Sequence, residues 1–382
     1  MRSFIRAALP VLLTLTAGHG AHADGPIRIG TLFSTTGPVG FIGDPEQKAA
    51  ELLVKKVNAA GGVLGRNIEL VSYDDASEPA RNSTLTKRLI ESDKVDLLIG
   101  GTITPLAMAM IPSVERAEVP YVSVGGGLPI VDPVKKWVFK TPHTDRQVAL
   151  RLLQDLKEHG HTKVGLLSET SGFGQSGRKE ITENAASYGI TIVADEKYGP
   201  KDTDVTPQLT GLKGASGIDA VLIFCGAGSS PSMAVKNYER LGLKLPLYLP
   251  HAVVNDEFLK LTGAASEGAR MPTAIFVVPD AVPSDDPQKP VIDAFYKDYE
   301  AAYHERPSPF AGNAYDAVLL AVDAIRRAGS TDKAKVRQAL EDTKDLPGLN
   351  GVFTMSATDH HGLKIESLRM HTVHAGKFAL AK

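Results

Sequence analysis

A chain of 382 residues, 43% hydrophobic and 23% charged, can bury a large core and is longer than one ordinary α/β domain, so two domains are expected. The formal net charge of −2, with no long basic run, argues against a nucleic-acid partner, because phosphate neutralisation needs clustered Lys and Arg. The single cysteine, Cys225, excludes an intrachain disulfide and a multi-thiolate zinc site. It ends the apolar run Val221-Leu222-Ile223-Phe224-Cys225 and is expected to be a buried strand residue.

The N-terminus carries Arg2 and Arg6, an apolar stretch at 7–17, and the small-x-small triplet Ala21-His22-Ala23. The stretch is shorter than the roughly 20 residues that span a bilayer. The pattern predicts a secretory signal peptide over residues 1–23, with the mature chain starting near Asp24. No cysteine stands at the cleavage point, so no lipid anchor is expected and the mature protein is expected to be free in the periplasm.

Beyond it, short apolar runs alternate with amphipathic ones. A strand at 27–32 precedes a helix at 46–58, where Ala49, Ala50, Leu52, Leu53 and Val57 share one face and Gly61-Gly62 ends the run. Strands follow at 68–73, 95–99 and 120–124, with helices at 79–91 and 104–116 between them. This rhythm implies a parallel, doubly wound sheet. It then repeats, with helices at 145–158, 174–188, 205–213 and 231–241 and strands at 163–167, 191–196 and 220–224. Three further helices, at 291–303, 312–328 and 332–342, precede a strand-like segment at 363–373.

Ligands of open α/β sheets sit beyond the carboxyl ends of the strands. The loops there, at 33–44, 100–105, 125–129, 168–174, 226–231 and 250–255, are rich in Gly, Ser, Thr or Pro. They place backbone N–H groups next to helix N-termini, which favours an anion. In Gly100-Gly101-Thr102-Ile103-Thr104-Pro105, Thr104 is expected to cap the next helix or to offer its hydroxyl to a carboxylate.

These loops resemble those of the branched-chain amino-acid (Leu/Ile/Val-type) periplasmic binding proteins of ABC importers. Thr36-Gly37-Pro38-Val39-Gly40 with Gly43-Asp44, and Asn58-Ala59-Ala60-Gly61-Gly62-Val63-Leu64-Gly65, match two family stretches. So do Tyr73-Asp74-Asp75, Leu98-Ile99-Gly100, Phe173-Gly174 and Tyr315-Asp316-Ala317. The resemblance implies an α/β fold of two doubly wound Rossmann-like lobes joined by a three-crossing hinge, the type I periplasmic binding fold. Lobe 1 would hold 24–143 plus 275–350, and lobe 2 would hold 144–274 plus 351–382. It also implies a small-molecule ligand in the cleft, an inner-membrane ABC permease as partner, a monomer, no catalysis, and neither cofactor nor metal.

By the same resemblance, Thr104, with Thr102 beside it, stands in the loop that binds the ligand carboxylate. A second family hydroxyl is replaced by Gly125-Gly126-Gly127, whose N–H groups would serve instead. His251 stands where the family offers a Glu to the ligand ammonium; a neutral imidazole cannot neutralise an ammonium but can donate to a carboxylate, ketone or hydroxyl. Phe41, Ile42, Phe173 and Phe310 are expected as apolar walls, with Gly228 and Ser229 widening the cavity where the family carries an aromatic residue. These departures point to an organic acid without an α-amino group, an aromatic or aryl-keto carboxylate, as some relatives in aromatic-degrading bacteria bind. The alternatives are a neutral amino-acid receptor in which Glu169 or Asp204 supplies the negative charge, and a periplasmic sensor subunit.

No G-x-S-x-G elbow and no Walker lysine is present, so an exported enzyme has no visible constellation. Asp359-His360-His361 has metal-ligand residue types, but adjacent residues rarely point to one ion and a polar turn is expected. Asp74-Asp75 is expected to be a cap or a turn.

Overall fold

The computed structural model describes residues 25–381; the expected signal peptide lies outside the described residues. Strands β1 (Ile27–Phe33), β2 (Ile68–Asp74), β3 (Leu97–Gly100), β4 (Tyr121–Ser123) and β5 (Val138–Lys140) form one parallel sheet. Its order, β2-β1-β3-β4-β5, reverses direction at β1, as in doubly wound folds. Strands β6 (Lys163–Glu169), β7 (Thr191–Tyr198), β8 (Ala220–Phe224), β9 (Leu247–Tyr248) and β10 (Arg270–Ala274) form the parallel part of a second sheet. After a small hairpin, β11 (Leu346–Pro347) and β12 (Val352–Phe353), the chain adds β13 (Leu368–His374) and β14 (Lys377–Leu380) antiparallel to its edge. The second order is β14-β13-β10-β9-β8-β6-β7.

The helices in chain order are α1 (Gly40–Ala59), α2 (Pro79–Glu91), α3 (Thr104–Ala117), α4 (Asp145–Glu158), α5 (Gly172–Asn184) and α6 (Thr206–Gly214). They continue with α7 (Ser229–Arg240), α8 (Asp256–Thr262), α9 (Lys289–Tyr303), α10 (Pro309–Ala328) and α11 (Lys333–Glu341). They cover both faces of each sheet. In β8 the two-residue period sends Leu222 and Phe224 toward α4 and α5, with Leu152 and Ile181, while Val221 and Ile223 join Leu209 and Val235 of α6 and α7. Cys225 is fully buried beside them.

The chain passes between the sheets three times: after β5, after β10 and after β12. The first passage is fastened by the buried Lys140 ammonium, which donates to the carbonyls of Pro142 at 2.5 Å and His143 at 3.2 Å. His143 Nε2 lies 2.6 Å from Ser367 Oγ, tying the first passage to the third.

The structure corrects several expectations. The first loop is helical from Gly40, because Val39 accepts the N–H groups of Ile42 and Gly43. Gly43 allows this: a Cβ there would lie 2.2 Å from the Ser34 carbonyl at the end of β1. The short elements β5, β9, β14 and α8 carry too few residues to show a period. Asp359-His360-His361 is not an exposed turn, since both histidines are buried. His360 stacks on Phe139 at 4.2 Å, with Nδ1 2.9 Å from the Val138 carbonyl and Nε2 3.2 Å from Glu341. This packing holds residues 352–360 against the first sheet, so the third passage falls after His361 rather than at 351. Asp74 and Asp75 do form the expected turn, Asp74 Oδ1 accepting from Ala76 N–H at 2.9 Å and Asp75 from Ser77 N–H at 2.9 Å, and the Asp75 carboxylate also accepts from Ser34 Oγ at 2.6 Å and Asn82 Nδ2 at 2.8 Å.

Asp316 on α10 is fully buried and accepts from the backbone N–H groups of Leu349 (2.7 Å) and Asn350 (2.8 Å) and from Asn350 Nδ2 (2.9 Å). Asp316→Ala strands three buried donors. Chemical denaturation should show a loss of at least about 1–3 kcal/mol, the cost of orphaning buried polar groups; unchanged stability would mean the 349–350 loop is held by something else.

Candidate functional site

A cavity of about 420 Å³ opens between the carboxyl ends of the two sheets, lined from both. From the first sheet's side come Val39, Ile42, Thr102, Ile103, Thr104, Gly126, Phe276, Phe310 and Asn313. From the second come Glu169, Ser171, Phe173, Lys201, Gly228, Ser229, Ser230 and His251, while Pro142 and His143 of the first passage form the floor.

Thr104 starts α3 but does not cap it: the cap position is Ile103, with no side-chain hydrogen bond. Instead Thr104 Oγ1 accepts from Gly127 N–H at 3.0 Å, which leaves its own proton free to donate. Among the described residues, the N–H groups of Ile103, Thr104 and Gly126 have no hydrogen-bond partner. These donors meet at a helix N-terminus, a pre-formed anion cradle.

His251 faces this cradle from the opposite sheet. Its Nε2 lies 3.7 Å from where a Gly126 Cβ would be, and its Nδ1 is buried without a partner. Burial, with the Lys140 ammonium adding to it, pushes the imidazole down to about 3, so His251 is neutral at physiological pH. His143 is likewise held well below its ordinary value, chiefly by burial, with His361, His251 and Lys140 close enough to disfavour a further positive charge. Phe173 meets His251 edge-on, centroids 5.6 Å apart, and a Cβ at Gly126 would touch its ring at 3.1 Å. A side chain at this position would press on the Phe173 ring, so glycine eases the close approach of the two sides.

Of the twelve residues predicted from sequence, nine line the cavity and three do not. Gly125 and Gly127 lie behind it, and their N–H groups are taken by Ser123 Oγ and Thr104 Oγ1. Phe41 turns outward to a separate groove and touches the cavity wall only through Phe310, edge-on at 6.2 Å. Thr102 lines the cavity, but its hydroxyl donates to the buried Glu46 at 2.7 Å and accepts from Ser34 N–H at 3.1 Å. That proton serves the core. Ser229 lines the wall, whereas the hydroxyl that contacts Glu169 is Ser230.

Glu169, one of two acidic residues considered for the cleft, is in the cavity and 4% exposed. The other, Asp204, pairs at the surface with Arg240 at 3.0 Å, outside the cavity. Asn313, Thr273, Phe276, Lys201 and His143 were not legible as lining. Asn313 had a usable signal, lying three residues after Phe310 on one helical face.

A family model described as a periplasmic binding protein matches residues 26–377. The leucine-, isoleucine-, valine-, threonine- and alanine-binding protein of Pseudomonas aeruginosa is 27% identical over 327 residues, 85% of this chain and 84% of that protein. An extracellular ligand-binding receptor from Rhodopseudomonas palustris HaA2 superposes with a TM-score of 0.86 at 27% identity, covering 94% of this chain and all of that one. A solute-binding protein of an ABC transporter from Rhodopseudomonas palustris BisB5, solved with 3,4-dihydroxybenzoic acid, shares the fold with a TM-score of 0.78 at 23% identity, covering 93% and 95%. With its two doubly wound lobes and the cleft between them, the chain belongs to the periplasmic binding protein family.

Proposed function

We propose that this protein delivers a small organic acid, an aromatic or aryl-keto carboxylate, to an ABC importer from the periplasm. One observation carries the ligand class: a neutral His251 set against an uncapped helix N-terminus and the free Gly126 N–H. The Thr104 hydroxyl, the Gly126 N–H and the neutral His251 at this end of the cavity can each donate to an anion. An α-ammonium one bond away from the carboxylate would meet donors there rather than an acceptor. The walls, Ile42, Phe173, Phe276 and Phe310, suit a flat apolar body, and the structural neighbour with dihydroxybenzoic acid supports the same class.

In this reading the first lobe holds the carboxylate through Thr104 and Gly126, and Phe173 and His251 close over it. Closure follows because the ligand binds the closed form more tightly than the open one. The closed form, as a monomer, is the state that docks on the permease. The lobe division follows the two sheets, with 25–143 and 275–361 on the first side and 144–274 and 362–381 on the second. The chain itself carries out no reaction. A second reading, a neutral amino-acid receptor, has one observation in its favour: the Glu169 carboxylate inside the cavity, together with the amino-acid-binding relative.

Thermal shifts against leucine, valine, phenylalanine, 4-hydroxybenzoate, coumarate, phenylpyruvate and benzoylformate separate the two, after unfolding and refolding to remove endogenous ligand. Saturation at 100 times the dissociation constant adds about 2.7 kcal/mol of stability. The aromatic acids should shift the melt and the amino acids should not; the reverse would establish the second reading. For the best acid, His251→Ala should cost one buried hydrogen bond, about 5- to 150-fold in affinity by calorimetry, and unchanged affinity would remove His251 from the site. Because burial holds His251 at about 3, its ring nitrogens should show no NMR titration between pH 5 and 8. A midpoint near the ordinary value of about 6.5 would contradict its neutral, buried state.

A further inference from the structure

The Glu169 carboxylate is not used by the anion cradle. It sits at the end of β6, nine-tenths buried, and its wall opens into the cavity. Oε2 accepts from Ser230 Oγ at 2.7 Å. Ser230 Oγ also lies 3.0 Å from Tyr198 Oη. A hydroxyl has one proton, so with Ser230 donating to the carboxylate, the Tyr198 phenol donates to Ser230. The relay Tyr198–Ser230–Glu169 thus fixes one oxygen and fills it.

The other oxygen, Oε1, has no protein donor among the described residues. It faces Gly226, where a Cβ would press on it at 3.3 Å. The run Gly226-Ala227-Gly228 after β8 keeps this approach clear of side chains. Oε1 borders the cavity, and a ligand that fills the cavity and displaces water from it leaves that oxygen in need of a donor.

We infer that Glu169 is a specificity-determining residue whose Oε1 accepts a hydrogen bond from a hydroxyl on the ligand body, so that the preferred ligand is a hydroxylated aromatic acid. This rests on the organic-acid reading above. In it the two ends of the cavity carry opposite demands: donors at Gly126 and Thr104 for a carboxylate, an acceptor at Glu169 for a hydroxyl. An unsubstituted acid would fill the walls and leave Oε1 dry and unpaired, which is why a site built for a hydroxyl rejects the analogue lacking it.

The test is calorimetry of the refolded full-length mature protein with 4-hydroxybenzoate, benzoate and leucine, for the wild type and for Glu169→Gln. The readout is the ratio of the two benzoate affinities within each protein, which a partly inactive preparation does not alter. The wild type should prefer 4-hydroxybenzoate by about tenfold or more, the size of one hydrogen bond to a charged acceptor. In Glu169→Gln the relay claims the amide oxygen for Ser230 and turns the NH₂ toward the cavity, where only a weaker neutral bond to the hydroxyl oxygen remains, so the ratio should fall several-fold. A preference retained in full in Glu169→Gln, or equal affinities in the wild type, overturns the role of Glu169 while leaving the organic-acid reading standing. Tight leucine binding that Glu169→Gln abolishes, with neither benzoate bound, overturns both.

Discussion

The proposed site depends on one constraint: an anion must be held in a largely apolar cleft without a full counter-charge in contact with it. The fold meets it with dipoles and neutral donors. The α3 N-terminus is left uncapped, because the cap position is held by Ile103, which has no polar side chain, while Thr104 accepts from Gly127 and keeps its proton. The Gly126 N–H is left free, and His251 is kept neutral by burial and by the ammonium of Lys140. Neutral donors in a dry cleft are strong enough to bind and carry no charge of their own that closure must desolvate.

The same residues link recognition to movement. Gly126 belongs to the first sheet's side and Phe173 and His251 to the second's, yet they meet within van der Waals reach. Lys140, His143 and Ser367 lock the passages where the chain changes lobes. His251, which burial keeps neutral, also feels Lys140 at the first passage, a lysine that burial itself lowers to about 7, so the cleft and its joint are electrostatically linked.

Much of this was legible in the sequence, for reasons that can be named. The strand and helix periods of the long elements survive in the structure because each sheet face needs its own apolar partner, as β8 shows. The cavity loops were legible because doubly wound sheets put their ligands beyond the strand ends. What was not legible is where a side chain points and which partner claims it. Phe41 and Ile42 are neighbours on α1, and helical geometry turns one outward and the other into the cavity. Thr102 and Thr104 read alike until Glu46, fifty-six positions away, takes the first hydroxyl. His360 looks like a surface residue until Phe139 and Glu341 close on it. The first of these misses is local helix geometry; the other two are contacts between residues distant in sequence.

The most direct measurement of the central claim is a crystal structure of the refolded protein with its tightest-binding carboxylate. The account predicts carboxylate oxygens within hydrogen-bond distance of the Gly126 N–H, Thr104 Oγ1 and His251 Nε2, with the lobes closed over them. A carboxylate turned instead toward Lys201 at the opposite wall, with His251 uninvolved, would contradict it.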